Sequence, residues 1–282
     1  MRAMGRSLME KTIMILCGFS AFLLLVVFGY ICYLLSSGLE ALRPEFLFTS
    51  ILDGGILEPV VGTFYLFAGA TAIVAPVGTL AAIYMVEYAP RGRLTKLVDT
   101  AINNIAGIPS IIFGIFGFTF FCKLLGLGIC LLSGWLTMAC MMLPTMIRSV
   151  EEVLKMIPVD IREASLALGA TKWQTIRHVV LPAAVPGILT GVVLSVARIA
   201  GETAAILFTA CFYTMRGLPR TPLDPILTLT YYLYVLILYM PGRLEPRQVF
   251  GLALVLFLLT VALNSAAFVI RAYYRRRWHR WT

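Results

Sequence analysis

Charged residues and histidines are scarce in this chain of 282 residues. Asp, Glu, Lys and Arg together make up 13% of it, and the only histidines are His178 and His279. Neither histidine has a carboxylate or cysteine at catalytic or metal-ligand spacing, and the chain contains neither a Gly-x-Ser-x-Gly motif nor a Walker A phosphate loop. These absences argue against an enzyme, so we expect no catalytic residue, no metal and no cofactor.

The six cysteines also lack the spacing of a metal site. All of them lie within or at the ends of apolar runs, where free thiols are commonly buried. Cys122 and Cys130 flank a short turn, so a disulfide between them is the alternative to two free thiols.

Long apolar runs dominate the sequence, which is 60% hydrophobic with a mean hydropathy of +0.91. About 20 apolar residues cross a bilayer as a helix. We therefore predict an all-α polytopic membrane protein with six transmembrane helices. The predicted spans are 12–35, 59–86, 102–122, 126–147, 183–211 and 248–271. The first is longer than the apolar part of a signal peptide and is expected to be a retained signal anchor.

Basic residues are concentrated on one side of this six-span topology. They lie in the tails 1–11 and 271–282 and in the loops 87–99 and 151–182, whereas the loop 36–58 is mainly acidic. The positive-inside rule then places both termini in the cytoplasm of a cell membrane. The net charge of +9 is accordingly expected to face anionic lipid, with no nucleic acid as partner.

The loop 212–247 does not follow this rule, because it carries four arginines on the outer side: Arg216, Arg220, Arg243 and Arg247. It also contains the apolar run 226–240, bounded by Pro225 and Pro241. This run is short for a span, and a seventh crossing would move the basic tail outside. We predict a re-entrant or interfacial helix on the outer face.

A polar segment between the fourth and fifth spans predicts two short helices. Capping-box patterns begin each of them, Asp160 with Glu163 and Thr171 with Gln174. Gly169 lies where the first helix must end and the chain must turn. The small side chains on which another protein could pack closely are Ala164 and Ala167.

The fifth predicted span contains two charged residues near its middle, Arg198 and Glu202. The i, i+4 spacing puts both on one helix face, within reach of an ion pair. Charges at that depth are costly unless they are paired or hydrated, so the pair is a candidate site. It is either a structural ion pair or an anion pathway in which Glu202 occupies Arg198 until an oxyanion binds the guanidinium.

The third predicted span offers a second candidate. Asn104 precedes Gly107 and Pro109, where a helix is expected to kink or open, and the Ser110 hydroxyl follows. Freed backbone groups there suit an anion, although close helix packing at the glycines is the alternative. Glu87 is expected at the cytoplasmic boundary of the second span.

The polar segment resembles the EAA loop of the permeases of ABC importers. The matching residues are Glu163, Ala164, Ser165, Gly169, Ile176, Leu181 and Pro182. The resemblance implies that residues 151–182, called the EAA loop below, dock on a cytoplasmic ATPase. The alternative is an interfacial helix pair without a partner.

Three further stretches, 83–89, 106–117 and 197–209, resemble the PstA family of phosphate-transporter permeases. The resemblance extends from about residue 59 to 270, which we treat as one permease core of the type I, MetI-like fold. It implies phosphate passage at Arg198, Glu202 and the adjacent Thr203. It also implies three partners: an ATPase homodimer, a second homologous permease (PstC-like) and an external phosphate-binding protein. Alternatives are a permease for another oxyanion or a self-sufficient channel or secondary transporter.

Overall fold

The structure of the protein is a computed structural model that describes residues 2–90, 92–213, 217–240, 242 and 245–278. The basic residues Arg91, Arg216 and Arg243 and the end of the tail, 279–282, lie outside the described residues. Within the described ranges the only β-type pairing is an isolated bridge between Cys211 and Ile226. The all-α prediction is confirmed.

Twelve α-helices follow one another along the described chain. They are α1 (Arg2–Leu39), α2 (Pro44–Phe48), α3 (Leu57–Ile83), α4 (Arg93–Ala106), α5 (Ser110–Gly117), α6 (Leu131–Met156), α7 (Val159–Ala167), α8 (Lys172–Thr175), α9 (Leu181–Ala200), α10 (Ala204–Leu207), α11 (Leu229–Leu238) and α12 (Pro246–Trp278). Three π-helical turns extend or join them, at Tyr84–Tyr88, Phe118–Leu124 and Ile176–Val180.

Five helices of the described chain are long and apolar enough to cross a membrane. They are Lys11–Leu39, Leu57–Tyr88, Leu131–Met156, Lys172–Ala200 and Pro246–Ala266. The pair Arg93–Ala106 and Ser110–Leu124 gives a sixth span if it is counted as one, although it bends by 103°. Residues 102–106 of the third predicted span therefore belong to α4, which turns away from the rest of that span.

Helix α6 lies at the centre of the bundle and packs against α3, α5 and α9. Its buried side chains recur every four residues, so they form one stripe along the helix. The stripe consists of Met138, Met142, Met146, Val150 and Leu154. On the other side of α9 lies α12, which α1 contacts in turn. The side chains of α1 between residues 11 and 29 are exposed, as expected for a peripheral span facing lipid.

The apolar run 226–240 forms a helix, α11, of only ten residues. Its length of about 15 Å is half of a hydrocarbon core, so α11 is too short to be a seventh span. It packs against α3 and α12. At its start, the Leu229 amide donates to Thr63 Oγ1 at 3.0 Å.

Different loops lie at the two ends of the bundle. At one end, Arg162 of α7 reaches Glu87 after α3, so the end of that span and the EAA loop lie together. We call this the EAA end. At the opposite end, the Cys130 amide donates to the Thr209 carbonyl at 3.1 Å and the Leu131 amide to the Asp224 carbonyl at 2.9 Å. The start of α6 is thus tied there to the segment that follows α9.

Candidate coupling loop and substrate pathway

The first helix of the EAA loop begins at a proline. Pro158 is the N-cap of α7, with φ −56° and ψ 142°, and no side chain caps the helix. The predicted capping box of Asp160 with Glu163 is therefore wrong. The helix starts at Val159, directly after Pro158 and one residue before Asp160, so Asp160 is already inside the helix and cannot be its N-cap. Asp160 instead lies in the first turn, where its charge favours the helix dipole.

The turn between α7 and α8 is formed as predicted. Gly169 has φ +86°, a left-handed conformation. Its amide donates to the Leu166 carbonyl at 2.9 Å, and the Ala170 amide donates to the Ser165 carbonyl at 3.3 Å. These two bonds form a Schellman motif, which satisfies carbonyls that the end of a helix otherwise leaves free.

The second capping box is confirmed at the start of α8. Thr171 Oγ1 accepts from the Gln174 amide at 3.3 Å, and Gln174 Oε1 accepts from the Thr171 amide at 2.7 Å. The Ser165 hydroxyl, at the third residue of the EAA pattern, lies 3.0 Å from Thr175 Oγ1 and joins the two helices. The EAA loop is thus an ordered pair of helices.

The EAA loop has a surface, directed away from the bundle, on which several apolar side chains are not covered by the rest of this subunit. Ala164 and Ala167 are exposed, as is Glu163. The exposed fractions of Leu168 and Trp173 reach 89% and 54%. Large exposed apolar side chains gathered on one loop are typical of a protein-binding surface.

An ion pair anchors the loop to the end of the span that contains α3. Arg162 Nη2 lies 3.0 Å from Glu87 Oε1, with side-chain exposures of 17% and 11%. The same guanidinium donates to the carbonyls of Ile157 at 2.6 Å and Leu154 at 2.8 Å, which end α6. Lys172 of α8 donates to the Glu87 carbonyl and lies 4.7 Å from the ring centroid of Tyr88. Arg162 therefore connects the spans that contain α3 and α6 to the loop, and Lys172 adds a second contact at Glu87.

The predicted ion pair between Arg198 and Glu202 is not formed. Helix α9 ends at Ala200, and Gly201 to Thr203 form a break before α10. The two residues thus do not share a helix face, and no ion pair joins them among the described residues. At the break, the Glu202 carbonyl accepts from Thr230 Oγ1 at 2.9 Å.

The break after α9 packs against the start of the third span. A Cβ on Gly114 of α5 would lie 2.7 Å from the Ala204 carbonyl, so the two backbones touch there. Thr203 precedes this contact by one residue, and Ser110 precedes Gly114 by one helical turn. The structure therefore brings the candidates Thr203 and Ser110 into the same region.

Helix register puts Arg198 at the same depth as Ser110. Gly191 of α9 packs against Ser149 of α6, and Gly117 of α5 packs against Thr137. Both helices run antiparallel to α6. Arg198 lies seven residues after Gly191, and Ser110 lies seven residues before Gly117, which is a step of about 10 Å in each helix. These steps bring both residues level with the middle of α6. The glycines thus serve close packing, and the two breaks lie midway along the bundle.

Asn104 lies on the other side of the break in the third span. It is exposed on α4, and its carbonyl accepts from the Gly107 amide at 3.1 Å. The predicted opening of the helix at Gly107 and Pro109 is present as the 103° bend. Asn104 therefore belongs to a helix that turns away from the level of Ser110.

Arg198 is exposed on a largely apolar face of α9. Leu194, one helical turn earlier, shares this exposure, whereas the exposed Val185 and Leu189 lie on the opposite side of the helix. A guanidinium facing lipid at mid-depth costs several kcal/mol. In the assembled protein this face must therefore meet water or another polypeptide.

All six cysteines are free thiols in the structure, including Cys122 and Cys130. Cys122 Sγ lies 3.8 Å from the Thr209 carbonyl, and Cys130 Sγ lies 3.3 Å from Ser133 Oγ. Across the described ranges, no group of three His, Cys, Asp or Glu side chains is placed to hold a metal ion.

Sequence relatives of this chain are permeases. It is 35% identical over 201 residues to "Probable ABC transporter permease protein YqgI" of Bacillus subtilis, covering 70% of this chain and 68% of the relative. It is 34% identical over 228 residues to "Phosphate transport system permease protein PstA 1" of Mycobacterium tuberculosis, covering 79% and 73%.

Solved structures share the fold. An inward-facing MetNI methionine ABC transporter matches with a TM-score of 0.58 at 20% identity, over 77% of this chain and 96% of the other. A bacterial alginate ABC transporter with its periplasmic protein matches with a TM-score of 0.62 at 15% identity, over 93% of each chain. The type I permease fold is confirmed.

The match to a family model extends the same conclusion along the chain. Residues 74–280 match the model described as "Binding-protein-dependent transport system inner membrane component". This region includes the EAA loop, Ser110 and Arg198. The chain belongs to this family of ABC transporter permeases, within which it is similar to the PstA proteins.

Proposed function

We propose that this chain is the membrane-spanning permease subunit of an ATP-driven importer of inorganic phosphate. The observation that supports phosphate as the substrate is the 34% identity over 228 residues to a phosphate transport system permease. The chain itself is non-catalytic, because its sequence offers no phosphate loop for ATP. The energy of ATP hydrolysis must then come from another polypeptide.

The EAA loop is the surface through which that energy enters. Its exposed apolar residues form a docking surface for a cytoplasmic ATPase homodimer, with Gly169 setting the angle between α7 and α8. Arg162 and Lys172 join the loop to Glu87, and Arg162 also bonds the end of α6, so a force on α7 acts on the spans that contain α3 and α6. The partly buried guanidinium of Arg162 suits this role because it bonds Glu87 Oε1 and two backbone carbonyls at once, which fixes its orientation. The basic residues of the loops and tails support a cytoplasmic position, beside anionic lipid, for the EAA end and for both termini.

The substrate pathway runs along the side of α9 that exposes Leu194 and Arg198. Arg198 is not paired with Glu202, so its guanidinium is available to an oxyanion. Ser110 and Thr203 lie near the same level, where two helices are interrupted and hydroxyl groups can donate to phosphate. We assign Asn104 and Glu202 to the margin of this region.

Because Arg198 is exposed in one subunit, the pathway requires a second wall. A homologous, PstC-like permease provides it, so that the arginine faces a space between two subunits and not lipid. An external phosphate-binding protein delivers the substrate at the end opposite the EAA loop.

Labelled phosphate uptake tests this proposal. Vesicles that contain both permeases, the ATPase and the binding protein should accumulate phosphate when ATP is supplied, with little effect of excess sulfate or molybdate. Stronger uptake of sulfate or molybdate would assign the chain to another oxyanion. Uptake without the ATPase would instead indicate a channel or a secondary transporter.

A further inference from the structure

A second charged cluster lies between α4 and α6, apart from the contacts of Arg162 and Lys172 with Glu87. Arg148 of α6 binds Asp99 of α4 twice, through Nη1 to Oδ1 at 2.6 Å and through Nη2 to the backbone carbonyl at 2.7 Å. Arg148 Nη1 also donates to Glu151 Oε2 at 2.7 Å, and Lys155 Nζ lies 3.3 Å from that oxygen. Arg148 thus fixes α4 to α6 near the bend in the third span.

The cluster is incompletely satisfied. Arg148 Nε and Glu151 Oε1 are both buried and have no hydrogen-bond partner in the described structure. The Glu151 side chain is only 3% exposed, so water has little access to it. A buried donor and a buried acceptor left free on neighbouring turns of one helix are unfavourable, and each could satisfy the other.

A single rearrangement would satisfy both atoms. A guanidinium binds a carboxylate side-on through two neighbouring nitrogens, Nε and Nη2. In this structure Glu151 is bound by the third nitrogen, Nη1, which also donates to Asp99 Oδ1. Arg148 must therefore turn its guanidinium to present Nε and Nη2 to Glu151, and this turn moves Nη1 away from Asp99 and loosens α4 from α6.

We propose that Arg148 is a positioning residue that exchanges Asp99 for Glu151 during the transport cycle. In the state of this structure it holds α4 against α6. In the other state it pairs side-on with Glu151, and α4 is free to change its angle to α5. The two states have different unsatisfied groups, a property that suits a two-state element.

The exchange connects the EAA loop to the substrate pathway. α6 leads directly into α7, so docking and movement of the loop tilt the helix that carries Arg148 and Glu151. α4 leads through Gly107 to Pro109 into Ser110, so its release changes the position of that hydroxyl. This inference rests on the proposed coupling to an ATPase, since that coupling supplies the movement.

Spin labels can measure the exchange in the whole transporter. Leu97 of α4 and Met156 of α6 are 67% and 79% exposed, so cysteines there accept labels without disturbing the core. The exposed Cys17 and Cys32 are first replaced by serine. We expect one Leu97–Met156 distance in the nucleotide-free complex and a second, longer one when ATP is bound.

Variants of the cluster should shift this equilibrium in opposite directions. Asp99→Asn weakens the contact that holds α4, so the longer distance should appear without ATP and phosphate uptake per ATP hydrolysed should fall about tenfold. Glu151→Gln weakens the alternative partner, so the shorter distance should persist with ATP. Asp99→Glu keeps the carboxylate and should restore the wild-type response. The exposed neighbour Glu152→Gln is the control and should leave both distances unchanged.

A Leu97–Met156 distance that stays the same with and without ATP, in the wild type and in Asp99→Asn, would overturn the exchange. A label at Leu168, which is 89% exposed, reports the proposed function separately. If that label is immobilised by the ATPase while the distance stays constant, only the exchange is wrong. If it stays mobile in the presence of the ATPase, docking of the EAA loop is wrong as well.

Discussion

Replacing Gly169 should weaken ATPase binding through backbone strain alone. Its φ of +86° is unfavourable for any residue with a Cβ, and no atom lies within 4 Å of the position a Cβ would take. The expected strain is about 1–2 kcal/mol for Gly169→Ala. If that strain is relieved only when the turn opens, ATPase affinity falls about 5- to 30-fold. The ATPase affinity of the Gly169→Val variant should fall further, because β-branched side chains tolerate this conformation least.

The affinity is measured by titrating labelled ATPase onto the permease pair in detergent or nanodiscs. Gly169→Asn should bind almost as the wild type does, since Asn tolerates the left-handed region. Gly92→Ala is a matched control at the same end of the bundle, because Gly92 has φ −131° and open space around it. Wild-type affinity for Gly169→Val would refute the role of this turn in docking.

Three further predictions concern the ion pair at Glu87, the pathway and the opposite end. Arg162→Ala removes bonds to one carboxylate and two carbonyls, so we expect the unfolding free energy to fall by about 2–4 kcal/mol in a thermal unfolding assay. The control is the exposed ion pair of Arg247 with Glu40. Arg247→Ala should cost under about 1 kcal/mol in the same assay. Equal losses would remove the special role of Arg162. Arg198→Ala should reduce phosphate uptake by about 10- to 100-fold, the effect of losing one charged hydrogen-bonding group, while size-exclusion chromatography still shows an assembled complex. Glu202→Gln should have the smaller effect, because the two side chains are not paired. Wild-type uptake by the Arg198→Ala variant would mean that Arg198 serves only in packing. Hydrogen bonds from the Thr221 and Arg220 amides lower the pKa of Asp224 below its usual 3.8, so its contribution to stability is present above that value and is lost as pH falls through the lowered pKa. The difference in melting temperature between the wild type and Asp224→Asn should therefore shrink below about pH 4, and a difference that grows on acidification would contradict this assignment.

Local signals in the sequence predicted the parts of the EAA loop that local forces determine. The capping box at Thr171 and the turn at Gly169 depend on residues within one helical turn, and both are confirmed. The cap at Asp160 was wrong because Pro158, two residues earlier, already determines where the helix starts. A capping pattern alone does not reveal which of two competing start signals prevails.

Contacts between distant parts of the chain were not predictable in this way. Arg162 and Glu87 are 75 residues apart, and Arg148 and Asp99 are 49 apart, so no periodicity links them. The ion pair of Arg198 with Glu202 was predicted from a continuous apolar run. It fails because α9 ends at Ala200, with Gly201 as its C-cap, so that Arg198 and Glu202 lie on either side of the helix end. Gly201 was the local signal for this end, and the long apolar run around it obscured the signal.

The most direct test of the central claim is phosphate accumulation in vesicles in which ATP is present only on the side of the EAA loop. We predict that the assembled transporter accumulates phosphate on that side only while ATP is hydrolysed there, and that ATP on the other side is without effect. Accumulation that is equal without ATP, or that is driven from the opposite side, would contradict the account.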